Sequence, residues 1–598
     1  MIHPQEEFNV MQYRWGIVVI VLMMSVLCSA EEKETSLVTR PIKIQGQKHI
    51  TLERLYEVLS VERKSFFAFW KEDRPRIKEK LIPTLLSTLK SFYNSEGFYN
   101  ARFKLNKSDE VLVLEIKENR PVKIKKIDIQ SDFPIQNFIK VKKGEIFRSK
   151  TFIETKNGMI QALLNKGYCS YDLETKAYVD LQKHSVDIRY RLKKGDICTF
   201  GDTIIKGLKS IDPEIIKTRV VAKKGERYDP QKIQESYARV FDLDAFDSII
   251  LGTDRKFYNE VPVDITLTEL SQPYHYEVGA GYDTFVGARV HGMISKRNFL
   301  SNAQKITLRG SWSQREQLIT LDFFKPVLFR AFGYGVDFGS NIGYSNLEFI
   351  GFKEEKSFLR TYLQSHEGRL SLNAGLAVEN INISLLNNFR RNQNLLQAVK
   401  EGNFLLFYPY IHAIYDARDS KLNPKYGYYL SAYTEYGLPY GSDAGVYLKT
   451  LLEGRVIHTI GDLTLANVSK YGVVDIAANE IPASKLLYAG GAFFNRAYGF
   501  RQIGVIESNR RDSIEGGLSM LNFSFEANYP LWKNIYGALF SDHTMITDKS
   551  YNFSGNYIHA AGVGLRYMTP IGPFKVDIGW NIHDTSQYGI SFQIGQSF

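Results

Sequence analysis

The stretch KVDIGWNIHD, Lys575 to Asp584, decides the fold. Val576, Ile578, Trp580 and Ile582 fall on one face of an extended chain; Lys575, Asp577, Gly579 and Asn581 fall on the other. Successive side chains of a strand point to opposite sides, so this is the period of a strand and not of a helix. LNFSFEANYP repeats the pattern, with Leu521, Phe523, Phe525, Ala527 and Tyr529 opposite Asn522, Ser524, Glu526 and Asn528. A soluble sandwich also alternates. Three features favour a membrane barrel instead. The region is rich in aromatic residues, as interface girdles require. Its polar face stays polar and glycine-rich, unlike the heavily charged outer face of a sandwich. Its last strand, YGISFQIGQSF, closes on an aromatic residue. At roughly 20 residues per strand and turn, residues 271–598 make about 16 strands, an even number as single-chain barrels have.

Upstream of about Pro273 the pattern changes. Residues 31–270 mix helical and strand periods and repeat roughly every 75–80 residues. KKGE occurs at Lys142–Glu145 and again at Lys223–Glu226, each time before a helical stretch. SEGFYNARFKL, from Ser95, and NKGYCSYDLE, from Asn165, share a glycine, aromatic residues and a strand-like run. VLVLEIKENRPVKI, SVDIRYRLKKGD and PVDITLTELSQP are three similar closing strands. They predict three α+β modules of strand–helix–helix–strand–strand type, at 31–118, 119–194 and 195–270, followed by the barrel at 271–598. The third is the most degenerate, because FDLDAFDSI replaces the glycine-aromatic turn.

Residues 1–30 read as an export signal. Arg14 precedes the apolar run GIVVIVLMMSVL, and Cys28 and Ala30 supply small residues for cleavage. Met1 and Met11 both remain open as the start. Twelve apolar residues are too few for a helix to span a bilayer. Only Cys169 and Cys198 follow the signal, which excludes a disulfide-rich scaffold; the sequence leaves open whether they bridge. The net charge of +11 is concentrated upstream, with +9 on residues 31–270 and +3 on 271–598. A basic segment suits nucleic acid, anionic lipid or acidic partners, and export argues against nucleic acid.

No catalytic, cofactor or metal motif is visible. His366-Glu367 lacks the second histidine of a zinc protease. GAGYDTFVG, Gly279 to Gly287, is not followed by a helical pattern, so its glycines read as points of close backbone approach.

Four segments together resemble the outer-membrane assembly and secretion superfamily that includes BamA, TamA and the two-partner secretion transporters. GVGLRYMTPIGPFKVDIGW sets a turn between two strands. DARDSKLNPKYGYYL carries Asp416, Arg418, Asp419, Pro424 and Gly427 at a strand junction. ISFQIGQSF carries Phe592, Ile594, Gly595 and Phe598. GGAFFNRAYGFRQIG, from Gly490, sets Arg496 among glycines and rings. The resemblance implies an outer-membrane barrel of a Gram-negative bacterium with periplasmic POTRA modules. Three modules favour the TamA branch, since BamA-like chains usually have five and two-partner transporters two and a plugging helix. It also implies that the Arg496 segment is a lid loop folded into the lumen. The family's Arg-Gly-aromatic signature departs here to Arg496-Ala497-Tyr498-Gly499-Phe500, leaving Tyr498 and Phe500 as alternatives for the aromatic.

A buried arginine needs acidic partners. Inward-facing Glu526 is the first candidate and Asp542 the second. The C-terminal residues Phe592, Ile594, Gly595 and Phe598 are expected to act as an insertion signal. The first strand, about Tyr274 to Thr284, and the last, about Tyr588 to Phe598, are expected to form a weak seam, with Gly279 and Gly281 in one and Gly589 and Gly595 in the other. The implied role is non-enzymatic: binding unfolded outer-membrane proteins and inserting them in the lipid bilayer. The implied partner is a TamB-like periplasmic protein anchored in the inner membrane. The rivals are secretion of a dedicated passenger and a passive porin.

Overall fold

A computed structural model describes residues 39–63, 75–107, 111–253, 259–283, 287–331, 334–386, 399–439, 445–505, 515–532, 534–569 and 572–594. The signal segment, Gly595 and Phe598 lie outside the described residues.

In the first module, β1 (Thr39–Gln45) leads through helix Leu52–Val58 to β2 (Arg76–Lys78), helix Leu85–Ser95, β3 (Arg102–Lys107) and β4 (Leu112–Lys117). The sheet order is β2-β1-β4-β3, with β1 and β4 parallel. Its core sets Ile42, Ile44 and Leu114 of the sheet against Leu55, Leu89 and Tyr93 of the helices. In the second, β5 (Lys123–Ser131), helix Ser149–Asn165, β6 (Tyr171–Asp180) and β7 (Ser185–Lys194) make a sheet of order β5-β7-β6. In the third, β8 (Thr199–Lys206), helices Pro213–Arg219 and Pro230–Phe241, β9 (Phe246–Thr253) and β10 (Glu260–Glu269) make a sheet of order β8-β10-β9.

Two details depart from the uniform strand–helix–helix–strand–strand reading. The first module gains β2, whose three residues are too few to show alternation. In the second, the first helix shrinks to one 3-10 turn, Gln136–Phe138. Pro134 disfavours helical backbone just before it, and Ile139 is already extended behind it. Cys169 and Cys198 are joined as a disulfide, with Cα atoms 5.8 Å apart.

The degenerate turn of the third module has a simple explanation. After their long helices the first two modules turn at Gly97 and Gly167, both with positive φ. The third uses Asp244, at φ 53°. Aspartate tolerates this left-handed backbone better than most side chains. It also brings a carboxylate, which lies 3.2 Å from Arg297 and 3.7 Å from Lys305 of the barrel.

Sixteen antiparallel strands form one sheet in chain order. They are β11 (Tyr274–Asp283), β12 (Gly287–Lys296), β13 (Lys305–Ser313), β14 (Glu316–Ala331), β15 (Tyr334–Glu348), β16 (Phe352–Glu367), β17 (Leu370–Leu385), β18 (Gly402–Asp416), β19 (Gly427–Pro439), β20 (Val446–Ile460), β21 (Leu463–Ala478), β22 (Ser519–Trp532), β23 (Ile535–Thr547), β24 (Ile558–Thr569), β25 (Gly572–Asn581) and β26 (Tyr588–Ile594). β17 shows where the bilayer ends. From Leu370 to Val378 its outward residues are apolar and its inward ones small or polar. That band has the length of a membrane-crossing strand, about 9–11 residues. Beyond it the pattern inverts: Asn380 and Asn382 face outward, and Ile381, Ile383 and Leu385 are buried inside.

Most of the third module clusters with the barrel in one compact unit, and the first two modules form another. Arg219 of the third module donates to Asp337 of β15 at 2.6 Å, and Arg330 of β14 lies 2.6 Å from Glu214. The turn between β12 and β13 runs left-handed at Asn298, Leu300, Ser301, Asn302 and Ala303. It is held by the third module. Asp212 N–H donates to the Asn302 side-chain oxygen at 2.9 Å, and Asn298 donates to the Ser210 hydroxyl at 2.8 Å.

Candidate functional site

The longest connection, residues 479–518 between β21 and β22, is the segment expected to be a lid. Backbone bridges Leu487–Gly517, Ala489–Ile503 and Val505–Glu515 fold it into a nested hairpin. Gly490 and Gly491, at φ 101° and 91°, make its inner bend. A Cβ on Gly490 would stand 2.5 Å from the Gly499 carbonyl oxygen, so only glycine fits.

Arg496 sits at the inner end of the hairpin, 6% exposed. Its backbone N–H and Nε donate to Asp542 Oδ2 at 3.0 and 2.9 Å, and its Nη2 donates to Asp542 Oδ1 at 2.9 Å. Nη1 donates to Glu526 Oε2 at 2.5 Å. The guanidinium carbon lies 3.4 Å from the centroid of the Phe540 ring. Both acids named from the sequence therefore meet the arginine, and Asp542 takes the larger share. Three further wall residues complete the network. Arg566 donates to Glu526 at 3.0 Å and to Asp577 at 2.6 Å. Buried Lys575 adds a third cation beside them. The cations Arg496, Arg566 and Lys575 thus face the anions Glu526, Asp542 and Asp577. Enclosed ions are tolerated when paired and hydrogen-bonded in this way.

The wall is shaped for the loop. A Cβ on Gly579 of β25 would lie 2.9 Å from the Arg496 carbonyl carbon, and one on Gly589 of β26 would lie 2.5 Å from its oxygen. Asn581 donates to the Tyr498 hydroxyl at 2.8 Å, and Gln587 donates to the Ala497 carbonyl at 2.9 Å. Each polar position of the opening stretch, Lys575, Asp577, Gly579 and Asn581, is thus occupied by the loop or its charge network. Of the two aromatic alternatives, Tyr498 packs against the inner wall, whereas Phe500 is 38% exposed beside Arg501. Gly499 N–H donates to the Gln502 side chain at 2.8 Å.

Outside the membrane band, Ile481, Leu487, Ala489 and Ile503 of the loop join Phe349, Phe352, Ile383 and Tyr447 in one apolar core. The loop therefore caps the lumen on that side. Below the cap lies a cavity of about 1020 Å³ lined largely by charged and tyrosine side chains.

The strand-junction residues form a separate device, in the turn between β18 and β19. Arg418 donates from Nε and Nη2 to the two oxygens of Asp416, at 2.9 and 2.8 Å, and lies over the Tyr429 ring. Asp419 accepts from the N–H groups of Lys425 and Tyr426. Pro424 is buried between them, and Gly427 takes φ 114° where a Cβ would strike the Ala417 carbonyl. None of these residues joins the Arg496 network among the described contacts. At the C-terminus, Phe592 faces outward on β26, paired with Val576, and Ile594 pairs with Phe574.

β11 and β26 approach each other, but among the described residues no backbone ladder joins them. The glycines beside this line make room for neighbours. Gly589 receives the loop, and a Cβ on Gly279 would run into the His291 ring.

Residues 298–598 match the Omp85 superfamily domain, and residues 122–195 match the surface antigen variable number repeat, the POTRA module. The outer membrane protein assembly factor BamA of Nitratidesulfovibrio vulgaris is 20% identical over 95% of this chain and 74% of its own length. BamA of Neisseria meningitidis serogroup B is 20% identical over 93% and 78%. The crystal structure of BamA from Haemophilus ducreyi lacking POTRA domains 1–3 has a TM-score of 0.52 at 17% identity, over 79% of this chain and 99% of that one. The barrel thus lies in the outer membrane with its modules in the periplasm. The chain belongs to the Omp85 superfamily.

Proposed function

We propose that this protein is an assembly factor that accepts unfolded outer-membrane proteins through its periplasmic modules and inserts them into the bilayer beside β11 and β26. The observation that carries this reading is the seam between β11 and β26, which approach each other with no backbone ladder among the described residues. A closed barrel has no free edge, whereas a seam that parts readily can expose backbone N–H and C=O groups to template an incoming strand. The capped lumen favours sideways release over flow through an open pore, and so counts against a porin. Burial of the client's apolar face in lipid supplies the driving force, and no covalent step is required. Three modules suit a TamA-like variant of this role, with an inner-membrane-anchored periplasmic partner. The name assembly factor carried by the BamA relatives points the same way.

The test is reconstitution in proteoliposomes. A urea-unfolded barrel client should fold faster into vesicles holding this protein than into empty ones. Equal folding rates in the two, or transfer of a secreted passenger into the lumen with no gain in client folding, would overturn the reading.

A further inference from the structure

The loop carries a second buried cation, eleven residues before Arg496. Lys485 closes the 3-10 turn Ala483–Lys485 and is 8% exposed. Its Nζ lies 2.8 Å from Glu379 Oε2 and 3.3 Å from Glu435 Oε1. The same nitrogen stands 4.2 Å from the centroid of the Tyr408 ring. The Lys485 carbonyl accepts from Lys449 Nζ at 2.9 Å. These partners come from four consecutive strands: Glu379 from β17, Tyr408 from β18, Glu435 from β19 and Lys449 from β20. Both carboxylates are further fixed. The Tyr408 hydroxyl donates to Glu379 at 2.7 Å, and the Tyr447 hydroxyl donates to Glu435 at 2.8 Å.

Arg496, in contrast, grips β22 and β23, with Asp577 of β25 nearby. The two cations therefore hold different stretches of wall, each through a pair of carboxylates and an aromatic face. Paired carboxylates hold each cation in place, through charge-assisted hydrogen bonds at Arg496 and through close, buried ion pairs at Lys485. An aromatic face adds attraction when the cation is desolvated.

We propose that Lys485 is a second positioning residue of the lid, independent of Arg496. The loop is then a strut tied at one end to the β17–β20 wall and at the other to the β22–β25 wall. Lys485 also lines the lumen cavity, so its release opens that cavity toward the cap while Arg496 still holds the tip. This rests on the reading of the loop as the element that governs the lumen. Its test measures loop protection and not client insertion, so either can fail alone.

Hydrogen exchange is read on the full-length protein in lipid nanodiscs, comparing residues 481–490 with 491–501. Lys485→Met should raise exchange in 481–490 by about tenfold or more and leave 491–501 close to the parent, as expected for separate local openings. Arg496→Ala should do the reverse. Lys485→Arg keeps the charge and should restore protection, which a mere loss of packing volume would not predict. If Lys485→Met does not fold, Glu435→Gln removes one arm of the lock and should loosen 481–490 alone. Unchanged protection of 481–490 in the folded variant would overturn the proposal. So would variants at either cation that each release both segments together.

Discussion

At the scale of residues, the lid is fixed by charge pairing and by the absence of two side chains. Arg496→Ala would leave Glu526 and Asp542 without their shared cation, and removing one member of a buried pair typically costs about 3–5 kcal/mol. Gly589 offers a sharper test, because it carries no charge. Gly589→Val keeps every ion of the network but drives a side chain into the Arg496 carbonyl. It should displace the loop tip as Arg496→Ala does, seen as trypsin cleavage within the loop of an otherwise folded, heat-modifiable barrel. A loop as protected as the parent's would show that these glycines serve only the curvature of the wall. Much of this site was legible. Parity along LNFSFEANYP turned Glu526 inward, and the same parity along GVGLRYMTP turns Arg566 inward beside Gly562 and Gly564. Arg566 and Asp577 were overlooked although they obey that rule. Lys485 was not legible, because an irregular loop has no period to say which side chain is buried.

At the scale of elements, the third module holds the barrel rim through a chain that starts at Glu269. This carboxylate closes β10 and accepts from the N–H groups of Lys209, Ser210 and Ile211 at 2.6, 2.8 and 3.2 Å, and from the Ser210 hydroxyl at 2.6 Å. Ser210 in turn holds the left-handed turn at residues 298–303. Left-handed backbone costs roughly 1–2 kcal/mol per non-glycine residue, so that turn depends on its contacts. Glu118, the residue after β4, acts similarly, accepting from the N–H groups of His49 and Ile50. Burial acts to raise the Glu269 pKa, but its hydrogen bonds prevail and hold it below the ordinary carboxylate value. Its contribution is therefore complete above the unfolded value, about 4.3, and is lost as pH falls through the lower folded value. Glu269→Gln should loosen residues 207–213 and 298–303 at pH 7 by roughly 1 kcal/mol. It should also remove the extra loosening that the parent shows on acidification, both read as exchange protection. Equal protection in parent and variant at pH 7 would contradict this chain. The rim was the least legible part of the fold. NFLSNA contains no glycine to announce a left-handed turn, and the three residues of β2 are too few to alternate. The modules' longer elements were legible because their apolar faces repeat from one module to the next.

At the scale of the molecule, the barrel and its sixteen strands follow from period two, and β17 shows the same rule marking the membrane boundary. There the apolar face crosses from outside to inside near Glu379, a switch written plainly in the sequence as LAVENINISL. What alternation does not encode is closure. Nothing in the local pattern of β11 or β26 says whether they pair, since register depends on twist and shear accumulated around the whole sheet. The central claim, insertion beside the seam of β11 and β26, is therefore tested there. Cysteine pairs are placed one at a time between Tyr276–Ala280 of β11 and Tyr588–Phe592 of β26, in a background where Cys169 and Cys198 are serine, so that reductant acts only on the new bond. Client folding into proteoliposomes is then measured with the seam oxidised and again after reduction. The account predicts that oxidation abolishes the acceleration and reduction restores it; a locked barrel that folds its client as fast as the reduced one would contradict it.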